Sequence, residues 1–120
     1  MTMNFIVRKE ADYSCIKVAR ERLDSFISPE LKAELVRLTK NGAANIVLDL
    51  EECKYCDSSG LSAILVGNRL CEDCEGTFII CNLSQGVEKM IEIAMLDSFL
   101  LITPGIEEAE RLLMKKSELK

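Results

Sequence analysis

The chain of 120 residues contains no histidine. Histidine is the usual general base beside a catalytic serine or cysteine and the commonest metal ligand, so its absence excludes Ser-His and Cys-His catalysis. No S-x-x-K pattern begins at Ser58 or Ser59, which removes the lysine-assisted form of serine catalysis as well. The sequence therefore predicts a protein that is not an enzyme.

Long apolar runs and clusters of basic charge are also lacking. No apolar stretch approaches the roughly 18–20 residues that a membrane-spanning helix needs, and the charged, alternating start of the chain is unlike a signal peptide. The net charge is −5, and the only adjacent basic pairs are Arg8-Lys9 and Lys115-Lys116. We therefore expect a cytoplasmic protein that binds neither nucleic acid nor anionic membranes.

Apolar residues are abundant, at 48% of the chain, and predict one folded domain spanning residues 1–120. Alternating or continuous apolar segments predict five strands, and apolar residues at helical spacing predict four helices. The expected strands are 3–9 and 13–18, which form a hairpin, then 45–50, 77–81 and 99–102. The expected helices begin at Ser28, Ser58, Ser84 and Ile106, the second ending near Cys74. The order β-β-α-β-α-β-α-β-α predicts an α/β fold, a small mixed β-sheet packed by about four helices.

Two local features complete the predicted fold. Ser28 followed by Pro29 is typical of a helix start, with the serine as N-cap and the proline as first helical residue. The preceding segment, from Arg20 to Ser25, is polar and predicts a loop.

The segment Asp57-Ser58-Ser59-Gly60 lies at the predicted junction between the buried strand 45–50 and the second helix. Open α/β sheets place functional groups at this edge. Ser58 could be a helix cap or a phosphorylation site, whereas the third role, a nucleophile, lacks the histidine or lysine base discussed above. A phosphate at a helix N-terminus would face the positive end of the helix dipole, so the fold should tolerate it.

The run CDSSGLSAIL, from Cys56 to Leu65, resembles the signature of the STAS family, the anti-sigma factor antagonists. The resemblance extends over nearly the whole chain and implies the same order of elements. It implies that Ser58 is the phosphorylation site. The segment Glu21-Arg22-Leu23-Asp24 matches the family's Gly-Glu-Leu-Asp turn only in part, because Glu21 and Arg22 replace the glycine and the glutamate. Ser62 stands where the family often has glycine.

The resemblance implies a partner-switching cycle without a cofactor or metal. The unmodified protein binds an anti-sigma factor with serine kinase activity and frees the sigma factor. The kinase phosphorylates Ser58, the complex separates, and a metal-dependent serine phosphatase resets the protein. The implied partner-binding residues are Asp24, Ser25, Asp57, Ser58, Ser59, Gly60 and Leu61. A STAS scaffold that binds another protein or a nucleotide without phosphorylation remains the alternative.

Two C-x-x-C pairs, Cys53/Cys56 and Cys71/Cys74, come close to the spacing of a small zinc-binding domain with four cysteine ligands. A continuous helix from Ser58 would separate Cys56 from Cys71 by roughly 20 Å, whereas four thiolates on one zinc each lie about 2.3 Å from it. We therefore expect these cysteines to be small buried core residues, with no metal and no disulfide.

Overall fold

The computed structural model describes residues 3–118, so residues 1–2 and 119–120 of the predicted domain lie outside it. Eleven elements follow one another along this part of the chain. They are β1 (Phe5–Lys9), β2 (Ser14–Val18), β3 (Arg22–Leu23), α1 (Ser28–Lys40), β4 (Ile46–Asp49), β5 (Tyr55–Cys56), α2 (Ser58–Asp73), β6 (Phe78–Cys81), α3 (Gln85–Ile93), β7 (Leu101–Thr103) and α4 (Ile106–Glu118).

Five strands form the main sheet in the order β1-β2-β4-β6-β7. β1 and β2 are antiparallel, with Phe5 opposite Val18, which confirms the predicted hairpin. The other neighbours are parallel, because each is reached through a helix. All four residues of β4 are buried, as expected for a central strand covered on both faces.

The helices cover the two faces of the sheet unequally. The larger core cluster joins α1, α2 and α3 to one face, with Leu35, Ile64 and Val87 among its members. The other face is covered by α4, whose Ala109 and Leu113 belong to the smaller cluster. α2 buries six residues, more than α1 or α3, as its broad apolar surface predicts. The predicted mixed sheet with four helices is confirmed.

A second sheet of two short strands was absent from the sequence-based prediction. β3 pairs with β5 in parallel, with Leu23 opposite Cys56, so the segment predicted as a polar loop is partly a strand. The Leu23 side chain is fully buried there. The Glu21 carbonyl accepts a hydrogen bond from the Tyr55 N–H at 3.0 Å, and Glu21 is outside the left-handed region. The family's glycine is therefore not needed at this position.

Two further predictions were wrong in detail. The N-cap of α1 is Ile27, and Ser28 is the first residue of the helix. No side chain caps this helix start. The Ser28 hydroxyl donates to the Asp24 carbonyl at 2.6 Å. The last strand begins at Leu101 and not at Phe99, whose side chain is 59% exposed.

None of the helices within residues 3–118 combines the length and the apolar character that crossing a bilayer requires.

Candidate functional site

The start of α2 is fixed by Asp57, which is the N-cap residue. Its Oδ1 accepts a hydrogen bond from the Gly60 N–H at 3.0 Å, and its carbonyl accepts one from the Leu61 N–H, also at 3.0 Å. The first bond satisfies a donor that a helix start otherwise leaves unpaired, and the second is the first hydrogen bond within the helix. Capping is therefore the role of Asp57, and the hydroxyl of Ser58 is not used for it.

Ser58 is the first residue of α2, and its side chain is exposed. Ser59, beside it, is half-buried. Backbone N–H groups of the first helical turn point toward the space in front of Ser58, and the helix dipole makes this space favourable for an anion. The position therefore combines access for a modifying enzyme with an environment that stabilises negative charge.

Gly60 and Leu61 lie beneath this surface and support it. A Cβ atom at position 60 would overlap the Leu23 carbonyl oxygen and lie 2.6 Å from Cys56 Sγ. Glycine thus permits the close approach of α2 to β3. Leu61 is 7% exposed and belongs to the core. Little of its side chain is therefore available for the predicted contact with a partner.

The parallel pairing of β3 with β5 brings Asp24 next to Asp57 in register, because each follows a member of the Leu23–Cys56 pair. The Asp57 N–H donates to the Leu23 carbonyl at 3.2 Å, which ties the two segments together. Asp24 is half-buried and Ser25 is exposed. The predicted site residues 24–25 and 57–59 are thus assembled into one surface.

Exposed aromatic and basic residues beside this surface were missed by the sequence-based prediction. Phe26 is 90% exposed, and Tyr55 is 42% exposed. The Arg22 guanidinium lies over the Tyr55 ring, 4.9 Å from its centre. A phenylalanine in the polar segment after Asp24 was the available signal, since an exposed aromatic residue is often part of an interface.

The N-terminus of α3 borders the site on another side. The Ser84 hydroxyl caps α3 by accepting from the Val87 N–H at 3.3 Å, as predicted. A Cβ at Gly86 would lie 2.6 Å from the Lys54 carbonyl oxygen, so α3 packs directly against the residue that precedes β5. The segment leading to Ser58 is therefore held between β3 and α3.

Three of the four C-x-x-C cysteines are buried, and Cys74 is exposed. Burial raises the pKa of Cys56 and of Cys71 to about 12, so both thiols stay protonated near neutral pH. Cys56 lies just before α2 and Cys71 lies within it, so roughly 20 Å of helix separates the two pairs. Within residues 3–118 no group of three or more potential ligands lies close enough to hold a metal ion. The continuous helix rules out a shared zinc site for the two pairs.

Two curated relatives align with most of the chain. A Bordetella bronchiseptica protein, BtrV, carries a provisional name as an anti-sigma factor antagonist and is 30% identical over 88 residues, 73% of each chain. The anti-sigma-B factor antagonist of Staphylococcus aureus is 25% identical over 107 residues, which cover 89% of this chain and 98% of that protein.

The fold also resembles solved structures. SpoIIAA in its unphosphorylated form gives a TM-score of 0.77 at 23% identity, covering 90% of this chain and 95% of that one. The phosphorylated form of this Bacillus cell fate determinant gives 0.70 at 22% identity, covering 90% and 98%. The model of the STAS domain matches residues 5–109. The chain therefore belongs to the STAS domain family.

Proposed function

We propose that this protein is a cytoplasmic anti-sigma factor antagonist whose binding is switched by phosphorylation of Ser58. In its unmodified form it binds an anti-sigma factor with serine kinase activity, and a sigma factor is thereby released. Phosphorylation by that kinase separates the pair, and a metal-dependent serine phosphatase restores the binding form. The protein acts by binding and carries no activity of its own.

The observation that carries the proposal is the exposed hydroxyl of Ser58 at the first position of a helix capped by its neighbour, Asp57. Because Asp57 supplies the cap, adding a phosphoryl group to the Ser58 oxygen removes no hydrogen bond that holds the helix. A phosphate brings about −1.5 to −2 charges at pH 7, and the helix N-terminus favours negative charge. The fold should therefore persist in both states.

The fold tolerates a phosphate on Ser58, but a bound partner should not. Asp57 precedes Ser58 in the chain, and the β3–β5 register brings the backbone of Asp24 alongside Asp57, so a phosphate on Ser58 adds charge to a surface that is already acidic. A partner that buried an uncharged hydroxyl would have to bury an unpaired dianion, which is strongly unfavourable. Phosphorylation should thus release the partner without unfolding the domain.

The relatives support this proposal. Two are named as anti-sigma factor antagonists, and SpoIIAA has been solved in both an unphosphorylated and a phosphorylated form. Those names and phosphorylation states describe the relatives. For this chain the proposal rests on the exposed hydroxyl of Ser58.

The test is a pull-down from a lysate of the source organism with Ser58→Ala and Ser58→Asp as baits. Ser58→Ala carrying Ser117→Asp is the matched control, because it adds the same charge at an exposed position of α4, which packs on the other face of the sheet. We expect a serine kinase on the Ser58→Ala bait with and without Ser117→Asp, and little of it on Ser58→Asp. Circular dichroism should show that all three proteins are folded.

Equal recovery of the kinase on both Ser58 variants would remove Ser58 as the switch and favour a STAS scaffold without phosphorylation. A second measurement is independent of binding: peptide mapping of the protein isolated from its native cells should find phosphate on Ser58. Phosphate on Ser25 or Ser59 in its place would contradict the assignment.

A further inference from the structure

The outer side of the β3–β5 pair carries the residues that interfaces favour. Arg22 and Tyr55 are opposite each other in register and stack at 4.9 Å, while Leu23 and Cys56 are buried on the inner side. Phe26 follows in the next turn and is 90% exposed. We call these three residues, Arg22, Tyr55 and Phe26, the aromatic ridge. Arginine and aromatic side chains are enriched where partners bind and in the few contacts that dominate affinity.

Phe26 is held outward by a well-defined turn. The Asp24 carboxylate accepts a hydrogen bond from the Phe26 N–H at 3.0 Å. The Asp24 carbonyl accepts three more, from the Ile27 N–H at 3.2 Å and from the N–H and hydroxyl of Ser28 at 2.9 and 2.6 Å. This turn leads directly into α1, whose first residue, Ser28, is buried. The exposed ring is therefore presented by rigid backbone.

We infer that Phe26 is the apolar anchor through which the kinase proposed above recognises this protein, entering an apolar pocket on the kinase surface. Asp24 is a positioning residue: its carboxylate shapes the turn that carries Phe26 and does not contact the kinase as a charge. This inference rests on the proposed function, because it assigns the anchor of the same interface.

The ridge and Ser58 are close enough to share one partner. Phe26 is three residues beyond Leu23, and Ser58 is two residues beyond Cys56, which pairs with Leu23. At about 3.8 Å per residue and about 5 Å between strands, their Cα atoms are at most about 24 Å apart. A standard interface of about 800 Å² per partner is about 32 Å across. One kinase molecule can therefore cover both.

The test uses the kinase recovered with the Ser58→Ala bait, identified by mass spectrometry and then purified. It is titrated by calorimetry against the Ser58→Ala protein and against the same protein with Phe26→Ala, Phe26→Leu or Phe99→Ala added. Phe99 is the matched control, since it is also exposed and precedes β7, which lies at an edge of the main sheet. We expect Phe26→Ala to weaken binding about 30-fold or more, Phe26→Leu to retain most of the affinity, and Phe99→Ala to change it less than about 3-fold.

Asp24 is tested in the same titration. Asparagine keeps an oxygen that accepts the turn's hydrogen bond but has no charge, so Asp24→Asn should bind like the parent, whereas Asp24→Ala should weaken binding. Equal weakening by both variants would mean that the charge itself contacts the kinase and would overturn the positioning role.

The outcomes separate the two proposals. If the Ser58→Ala protein binds the kinase and Phe26→Ala leaves its affinity within about 3-fold, the anchor is refuted and the switch stands. If the Ser58→Ala protein retains no kinase, both are refuted. Thermal unfolding of each variant confirms that a loss of binding is not a loss of fold.

Discussion

Replacing Gly60 by alanine tests whether the surface around Ser58 is held in place by the core. The added Cβ would overlap the Leu23 carbonyl oxygen and lie 2.6 Å from Cys56 Sγ and 2.9 Å from Leu23 Cγ. Two of these three atoms belong to buried side chains, and the third is backbone. No flexible side-chain end can yield, so α2 and β3 must move apart.

The expected cost follows from three contributions. Overpacking of a buried site costs about 1–3 kcal/mol. Separating the segments also weakens the bond from the Asp57 N–H to the Leu23 carbonyl, worth about 1 kcal/mol. Against this, alanine in a helix is more favourable than glycine by about 0.5–1 kcal/mol. The clash outweighs the propensity, and we expect Gly60→Ala to lower the free energy of unfolding by about 2 kcal/mol.

Urea unfolding followed by circular dichroism, with a reductant present, measures this change. With a slope of about 1.5 kcal/mol per M, the midpoint should fall by about 1.3 M. Ser62→Ala is the matched control, because it adds no atoms at an exposed position two residues further along α2, and it should change stability by less than about 0.5 kcal/mol. An unchanged or higher midpoint for Gly60→Ala would refute the close packing of α2 against β3.

Three further predictions concern the cap, the thiols and alkaline pH. Asp57→Ala should destabilise the protein by about 1 kcal/mol in the same urea assay, through the lost bond to the Gly60 N–H, whereas Asp57→Asn should cost less. Titration with a thiol reagent should show one fast-reacting thiol, Cys74, and all six only after unfolding; several fast thiols in the folded state would contradict the buried positions. Burial and the hydrogen bond to Glu110 raise the pKa of Tyr13 to about 12, against about 10 when unfolded, so its contribution to stability is full below about pH 10 and is lost as the pH rises through about 12. Tyr13→Phe should flatten this loss in unfolding curves measured across that range, and equal slopes for both proteins would contradict it.

The main sheet and its helices were predictable because apolar residues recur in them in continuous runs or at regular spacing. The apolar run of β4 and the helical spacing after Gly60 are each long enough to indicate one structure. The junction between these two elements was predicted to carry the polar pair Asp57-Ser58, and in the structure this pair begins α2. The residues alone did not decide which of the two caps the helix, because both types are favoured there.

The missed features are short or depend on distant partners. β3 and β5 have two residues each, too few for any periodicity, and their pairing joins segments that are far apart in the sequence. Ser28 lost its expected role as N-cap because the Asp24 carbonyl, one turn earlier, accepts from its N–H and its hydroxyl. Apolar character placed Phe99 in the last strand, but its side chain lies at the surface. These outcomes are set by tertiary contacts that a local pattern does not contain.

The close attachment of the start of α2 to β3 has a kinetic consequence. A surface that is already ordered loses little conformational entropy when a partner arrives, so little of the binding energy is spent on ordering it. Recognition can then proceed at each well-oriented collision, without a slow folding step. Such a preorganised protein can sample competing partners rapidly, and under the proposed switch a phosphate on Ser58 would set the lifetime of each complex.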